Sequence, residues 1–218
     1  MTLKLNGSSS GSVSIDAPAS TAGGADRTLT LPDDSSNGVI KTSTYPSSIQ
    51  VLEQFFTPCD GSVIACANGN ITVQDVTAEQ DCSTTYTDLT GSVISYNPPT
   101  GTTQVIYEFY YQAGRKDDVG SHLCKLYLDS DEVTLGFAHN QVYASTARLS
   151  IKWGFNIGGS ADTTHGRVAS WSSAKTIKIQ IREFDSAQEV YAHRTVHSGA
   201  GSSTDIFVTP CIGITAIG

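Results

Sequence analysis

Basic residues are scarce in this chain of 218: Lys and Arg number 13 against 21 Asp and Glu, a formal net charge of −8. A protein that grips a phosphate backbone needs a field of positive charge, so this deficit argues against a nucleic-acid partner. Long apolar runs are missing too. No segment approaches the roughly 18 consecutive apolar residues of a membrane span, and the first residues lack the cationic start and apolar core of a secretory leader. These absences predict a chain made in a cytoplasm that engages neither a membrane nor nucleic acid. The cysteines are five, Cys59, Cys66, Cys82, Cys124 and Cys211, with no CxxC pair among them. That removes the zinc-knuckle pattern, and an odd count does not complete a disulfide framework. They read mostly as reduced, small apolar fillers, with a bridge from Cys59 to Cys66 or to Cys82 left open.

Helical periodicity is absent as well: no window holds a 3.6-residue apolar repeat over three turns. What the chain has is alternation. Only 16% of its residues are charged and 39% are apolar, and it is rich in Ser, Thr and Gly, the composition of an all-β protein with hydroxyls on its wet faces. Near the start, Leu3 and Leu5, Val13 and Ile15, Leu29 and Leu31, and Val39 and Ile40 form short period-two sets. Turn-rich stretches separate them, "NGSSSGS", "APASTAGGAD" and "PDDSSNG". Each such strand offers about two apolar side chains. Ordering nearly fifty residues costs roughly 1 to 2 kcal/mol each, so one copy of this segment is not expected to fold alone. Three copies wound on a common axis would pool Leu3, Leu5, Val13, Ile15, Leu29, Leu31 and Val39 into a narrow apolar column. Residues 6–12 would then be a low-bulk crossover where chains pass closely.

The stretch "LKLNGSSSGSVSIDAPASTAGGADRTLTLPDDSSNGVIKTS" resembles an N-terminal segment of structural proteins of tailed bacteriophages, notably those of cyanobacteria and other aquatic hosts. The likeness lies in a strand ending Leu-Asn-Gly-Ser, a second strand before Ala-Pro-Ala, and a Leu-Thr-Leu-Pro strand followed by an acidic turn. It covers about the first 42 residues. It implies a virion component, either a capsid decoration (cement) protein or a short fibre, since such segments precede different heads.

From about residue 50 strand-like runs follow at intervals of about 8 to 15 residues: "IQVLEQFF", "NITVQDV", "LTGSVISY", "TQVIYEFYYQA", "SHLCKLYLDS", "VYASTARLSIKWGFNI", "AKTIKIQIREF", "EVYAHRTVH", "DIFVTP" and "CIGITAIG". This spacing predicts an antiparallel β-sandwich, most simply a jelly roll. The expected organisation is therefore an intertwined β arm over 1–48 and a jelly-roll-like head over 49–218. Ile177, Ile179 and Ile181 should face the core. Val105, Tyr107, Phe109 and Tyr111 form one face of their strand and Ile106, Glu108 and Tyr110 the other; with large apolar bodies on both, the strand either meets another chain on one face or is a central strand in a thick sandwich. Apolar Ile212, Ile214 and Ile217 mark the last run as a buried, paired strand.

Motifs for nucleophilic, phosphate-binding, metalloprotease or dinucleotide chemistry are not found in their required contexts. His193 and His197, four apart, would stand about 13 Å from one another in an extended strand, too far for one metal ion. Asp129 to Glu132, "DSDE", reads as a hairpin turn and lacks the spacing of an EF-hand loop. Glu108, Glu183 and Asp185 are the carboxylates to weigh as a glycan-cleaving pair, but no sugar cleft accompanies them in the sequence. Trp153 and Trp171 with Tyr107, Tyr110, Tyr111, Tyr127, Tyr143 and Tyr191 offer aromatic faces that could stack on sugars or fill a core. Of these, Trp171 and Tyr110 are the candidates for surface binding, together with Arg115 and Lys116 of the charged loop "GRKDDVG". The expectation is a non-enzymatic virion surface protein, homotrimeric, with no cofactor or metal, assembled in the host cytoplasm. Its partners would be its own copies, the major capsid protein or a tail or vertex protein, and in the fibre alternative a host surface glycan.

Overall fold

Alternation of β-branched and aromatic residues with hydroxyls and charges dominates the structure, a computed structural model that describes residues 2–6, 12–16, 50–116, 119–142, 146–196 and 206–218. The described residues contain no helix. The chain divides into two compact units, Met1–Ser48 and Ile49–Gly218.

In the first unit β1 (Thr2–Asn6) pairs antiparallel with β2 (Ser12–Asp16), the register setting Leu3 opposite Ile15 and Leu5 opposite Val13. Leu29, Leu31 and Val39 lie outside the described residues.

The second unit carries β3 (Val51–Pro58), β4 (Val63–Ile64), β5 (Ile71–Thr72), β6 (Gln80–Asp81), β7 (Thr87–Asp88), β8 (Ile94–Tyr96), β9 (Gln104–Arg115) and β10 (Gly120–Leu128). It continues with β11 (Asp131–Val142), β12 (Thr146–Asn156), β13 (Lys175–Glu183), β14 (Val190–Ala192), β15 (Arg194–Thr195), β16 (Ile206–Phe207) and β17 (Cys211–Ile217). One sheet of six strands has the order β3-β17-β9-β14-β6, with β12 on the other edge of β9. A sheet of five has the order β11-β10-β13-β7, with β8 also on β13. All these pairings are antiparallel. Four of them nest along the chain: β3 with β17, β8 with β13, β9 with β12, and β10 with β11.

Both sheets contribute to one core. Val105, Tyr107 and Phe109 enter from β9, Ile177, Ile179 and Ile181 from β13, Leu126 from β10, and Ile212 and Ile214 from β17. Polar anchors tie the two sheets. The Tyr107 hydroxyl donates to Ser92 O at 2.7 Å, while Ser92 Oγ accepts from Ile179 N at 3.1 Å and donates to Ile179 O at 3.2 Å. Gly91, beside Ser92, has φ +83, and a Cβ there would come within 2.9 Å of Val76 and 3.1 Å of Cys59 Sγ and Pro210. Glycine is required by both conformation and space.

The structure differs from the sequence expectations at definite points. "EVYAHRTVH" is not one strand: His193 adopts φ +64, which ends β14 and lets β15 leave to pair with β16. His197 lies outside the described residues. The run expected to begin at Val142 instead splits, Val142 closing β11 and β12 starting at Thr146. In β17 the buried set is Ile212, Ile214 and Ala216 rather than Ile217, because alternation at period two from Ile212 and Ile214 falls on Ala216. The turn expected in "DSDE" is formed by Asp129 and Ser130, with Leu128 opposite Asp131.

Candidate interaction surface

The outer face of the six-stranded sheet presents Phe56 from β3, Tyr110 from β9 and Cys211 from β17. Strand alternation turns these positions away from the core that Tyr107, Phe109, Ile212 and Ile214 fill. Phe56 is 54% exposed and Tyr110 43%. Their rings meet edge to face with centroids 5.4 Å apart, although β17 separates their strands. Gly213 makes this possible, since a Cβ on it would lie 2.6 Å from Phe56 Cδ2 and 3.1 Å from Phe55 O. Lys152 and Glu108, opposite one another on β12 and β9, form an ion pair. A shallow depression is lined by Phe56, Glu108, Tyr110 and Cys211, and a second by Gln112, Arg148 and Thr209 among others, with Tyr110 and Cys211 shared by both. Gly213→Val is expected to drive Phe56 off Tyr110 and to lower stability by about 1 to 3 kcal/mol. Thermal denaturation reads the loss, and an unchanged melting temperature would contradict the close approach.

At the end of β9, Lys116 bonds Glu189 at 3.1 Å, sits 3.5 Å from Asp81 and lies over the Tyr191 ring at 5.4 Å. Arg194 stacks on the same ring at 4.3 Å and pairs with Glu79 at 3.1 Å. The carboxylate of Glu189 pushes the Lys116 ammonium further above its ordinary range. The backbone of Arg115 faces Val190 of β14. Lys116 thus belongs to a charged cluster at one sheet end, next to Arg115 in the chain and apart from the strand position of Tyr110.

Trp171 is not at the surface: it is 7% exposed, its indole N–H donates to Tyr96 O at 3.0 Å, and its ring meets Phe155 edge to face at 6.1 Å. The loop-like "RVASWSSAKT" suggested exposure, but a buried acceptor and an aromatic neighbour draw the ring in. Trp153 donates to His165 O at 3.1 Å. Tyr107 and Tyr111 are core residues, Tyr127 carries Lys178 5.7 Å above its ring, and Tyr143 lies outside the described residues.

On the outer side of the five-stranded sheet, Tyr86 lies between Lys125 at 4.9 Å and Arg182 at 5.2 Å, and His139 stacks on Phe184 at 5.3 Å. The exposed Leu135 and Phe137 flank Gly136 in an irregular stretch of β11. No sequence signal singled out these groups, because their members come from distant strands.

The carboxylates do not converge. Glu108 faces outward on Lys152, Glu183 is buried and accepts from Val190 N at 3.2 Å, and Asp185 caps Ala187 N at 2.8 Å in a turn. Burial holds the Glu183 carboxyl above its ordinary range. All five cysteines are free thiols. Burial pushes Cys59 and Cys82 up to about 12 and Cys66 and Cys124 to about 11, and raises Cys211 as well. They are therefore protonated and weakly nucleophilic at neutral pH. Among the described residues no group of three His, Cys, Asp or Glu side chains is placed to hold a metal ion.

Inside the core, the Tyr111 hydroxyl lies 2.9 Å from His122 Nε2 and 3.4 Å from Cys124 Sγ, and His193 Nε2 lies 2.9 Å from Thr90 Oγ1. Nδ1 of each histidine is buried with no hydrogen-bond partner among the described residues. Burial lowers both imidazoles to about 4, with His139 adding to the effect on His122.

No family model matches the chain, and no curated protein matches it.

Proposed function

We propose that the chain is a non-enzymatic structural protein of a tailed-phage virion surface, in which residues 1–48 form an oligomerising, docking arm and 49–218 a jelly-roll head. The nested pairing supports the jelly roll: the strand orders β3-β17-β9-β12 and β8-β13-β10-β11 are those of a hairpin wrapped across two sheets. Phage membership is carried by the likeness of the first 42 residues. Within that class a homotrimeric capsid decoration protein is favoured, and the observation that carries it is the outward Phe56–Tyr110 face.

An exposed aromatic pair beside a self-compensating Glu108–Lys152 pair is suited to a second protein surface. That surface belongs to another copy or to the major capsid protein. Three arms acting together would raise apparent affinity for the shell, and binding only to the folded lattice would stabilise it by mass action.

Imaging of intact particles with quantitative mass spectrometry tests this. Hundreds of copies spread over the capsid are expected. A handful of trimers at a tail or vertex would favour the short fibre whose head binds a host surface glycan, and absence from particles would remove both. Phe56→Asp is expected to reduce occupancy of the shell by about tenfold or more while the free protein still melts cooperatively.

A further inference from the structure

At the end of the head where residues 97–102 and 168–172 meet, a groove of about 440 Å³ opens, within the size range of small-ligand clefts, about 300 to 1,000 Å³. Asn97, Thr100, Thr102, Ser170 and Ser172 line it, with Trp171 in its wall. A second depression of about 220 Å³, with Asn70 and Ser95, shares Asn68 and Asn97 with the first, so the two form one path. We infer that this path is a binding site for a neutral oligosaccharide.

The lining chooses the ligand class. In a chain of net charge −8, no Asp, Glu, Lys, Arg or His lines either depression. A charged ligand would find no counter-ion there, and an apolar one would strand the amides and hydroxyls away from water. A neutral polyhydroxylated ligand leaves neither problem. The side chains of Asn70, Asn97, Thr100, Ser170 and Ser172 make no hydrogen bond with described residues of the chain, so their donors and acceptors are open to ligand hydroxyls.

The walls are held in place. Asn68 Nδ2 donates to Pro98 O at 2.6 Å, Thr102 Oγ1 donates to Pro99 O at 2.7 Å, and the Trp171 indole N–H donates to Tyr96 O. Backbone bonds from Ile157 N to Thr103 O at 2.8 Å and Gly158 N to Val168 O at 2.8 Å join the loops. Little ordering is left to be done on binding, which favours a ligand whose own gain per contact is small. Trp171, 7% exposed and packed on Phe155, is part of the fixed wall rather than a stacking face, so recognition falls to the amides and hydroxyls.

The site does not rest on the shell-binding proposal. Particles carrying hundreds of copies of a protein without saccharide affinity would keep that proposal and remove this one.

The experiment applies the full chain to an array of neutral glucose, galactose, mannose and N-acetylhexosamine oligosaccharides with sialylated and sulfated members beside them. Binding is expected among the neutral members. It should weaken by about tenfold or more in Ser172→Trp, which fills the groove from an exposed position, and in Asn97→Ala, which removes an amide. The indole N–H resonance of Trp171, assigned with Trp153→Phe, is expected to shift in wild-type protein when the best array member is added. That shift keeps the test decisive even if a variant fails to fold. No bound neutral glycan, binding of anionic members alone, equal binding by a folded Ser172→Trp, or an unmoved Trp171 resonance would overturn the inference.

Discussion

A chain ending at Gly213 is expected to be insoluble or to melt without cooperativity. Strand β17 is paired along both edges, to β3 through Ile214–Phe55, Thr215–Gln54 and Ala216–Glu53, and to β9 through Ile214–Tyr107 and Ala216–Val105. Removing residues 214–218 takes away the buried Ile214 and Ala216 and leaves most of β3 with no neighbour. Losing one core isoleucine costs about 2 to 5 kcal/mol, and each backbone group left unpaired and buried costs about 1 to 3. Together with the loss of the pairing of β9 at Val105 and Tyr107, this is comparable with the 5 to 15 kcal/mol by which a domain is typically stable. Ile217→Ala, at a half-buried position beyond the register shift, should cost only about 1 kcal/mol. Expression and calorimetry of the two variants check this, and a soluble truncated chain with a sharp transition would contradict the central position of β17.

Acid is the second strong lever. His122 and His193 are both fully buried and held near 4, while an unfolded chain titrates its histidines near 6.5. The folded state therefore binds fewer protons than the unfolded one between these values. Its stability is complete above about pH 6.5 and falls as pH drops towards 4. Each histidine contributes about 3 kcal/mol to that loss. Burial gives the cause, since each imidazolium would be held away from water; at His193, whose Nε2 faces Thr90 Oγ1, the added N–H would also fall on a partnerless Nδ1. Glu183, raised by burial, acts in the opposite direction. Asp88 and Asp129, lowered by their bonds to Lys178, Gln180 and Lys175, lose their contribution only below the carboxylate range. Denaturant titrations at steps from pH 7.5 to 4.5 should show a steep decline below 6.5, flattened in His193→Asn, a replacement that tolerates the left-handed backbone, and in His122→Gln. A profile level across that window would show that the two rings titrate normally.

Much of the head was legible because strand alternation is local. Ile177, Ile179 and Ile181, and Tyr107, Phe109 and Tyr111, fall on core faces as their spacing implies. Where geometry depends on a single backbone angle, periodicity is silent, as at the left-handed His193; at Ala216 the period does hold, but a small side chain is a weaker apolar mark than the neighbouring Ile217. β11 escaped the pattern because its middle leaves the ladder, so Leu135 and Phe137 are exposed on either side of Gly136 rather than alternating inward. The surface features were hidden for another reason. Phe56 and Tyr110 become neighbours only through the pairing order and the missing side chain of Gly213, and the groove beside Trp171 exists only once loops distant in sequence are brought together. Trp171 misled because flanking serines and alanines describe its loop, whereas Tyr96 O and Phe155 decide its position.

The nested pairing also sets a timetable. Because β8 waits for β13, from Tyr96 to Lys175, and β3 for β17, from Pro58 to Cys211, strands that leave the ribosome early cannot be matched until residues far along the domain have been synthesised. Closing such distant pairs is slow, on the order of milliseconds to seconds for barrels and sandwiches. Until then the apolar edge of β3, with Val51, Leu52 and Phe56 exposed even at the end, is available to copies on neighbouring ribosomes. Yield in a heterologous host should therefore respond to translation rate and chaperone supply more than to the thermodynamic strength of the finished head.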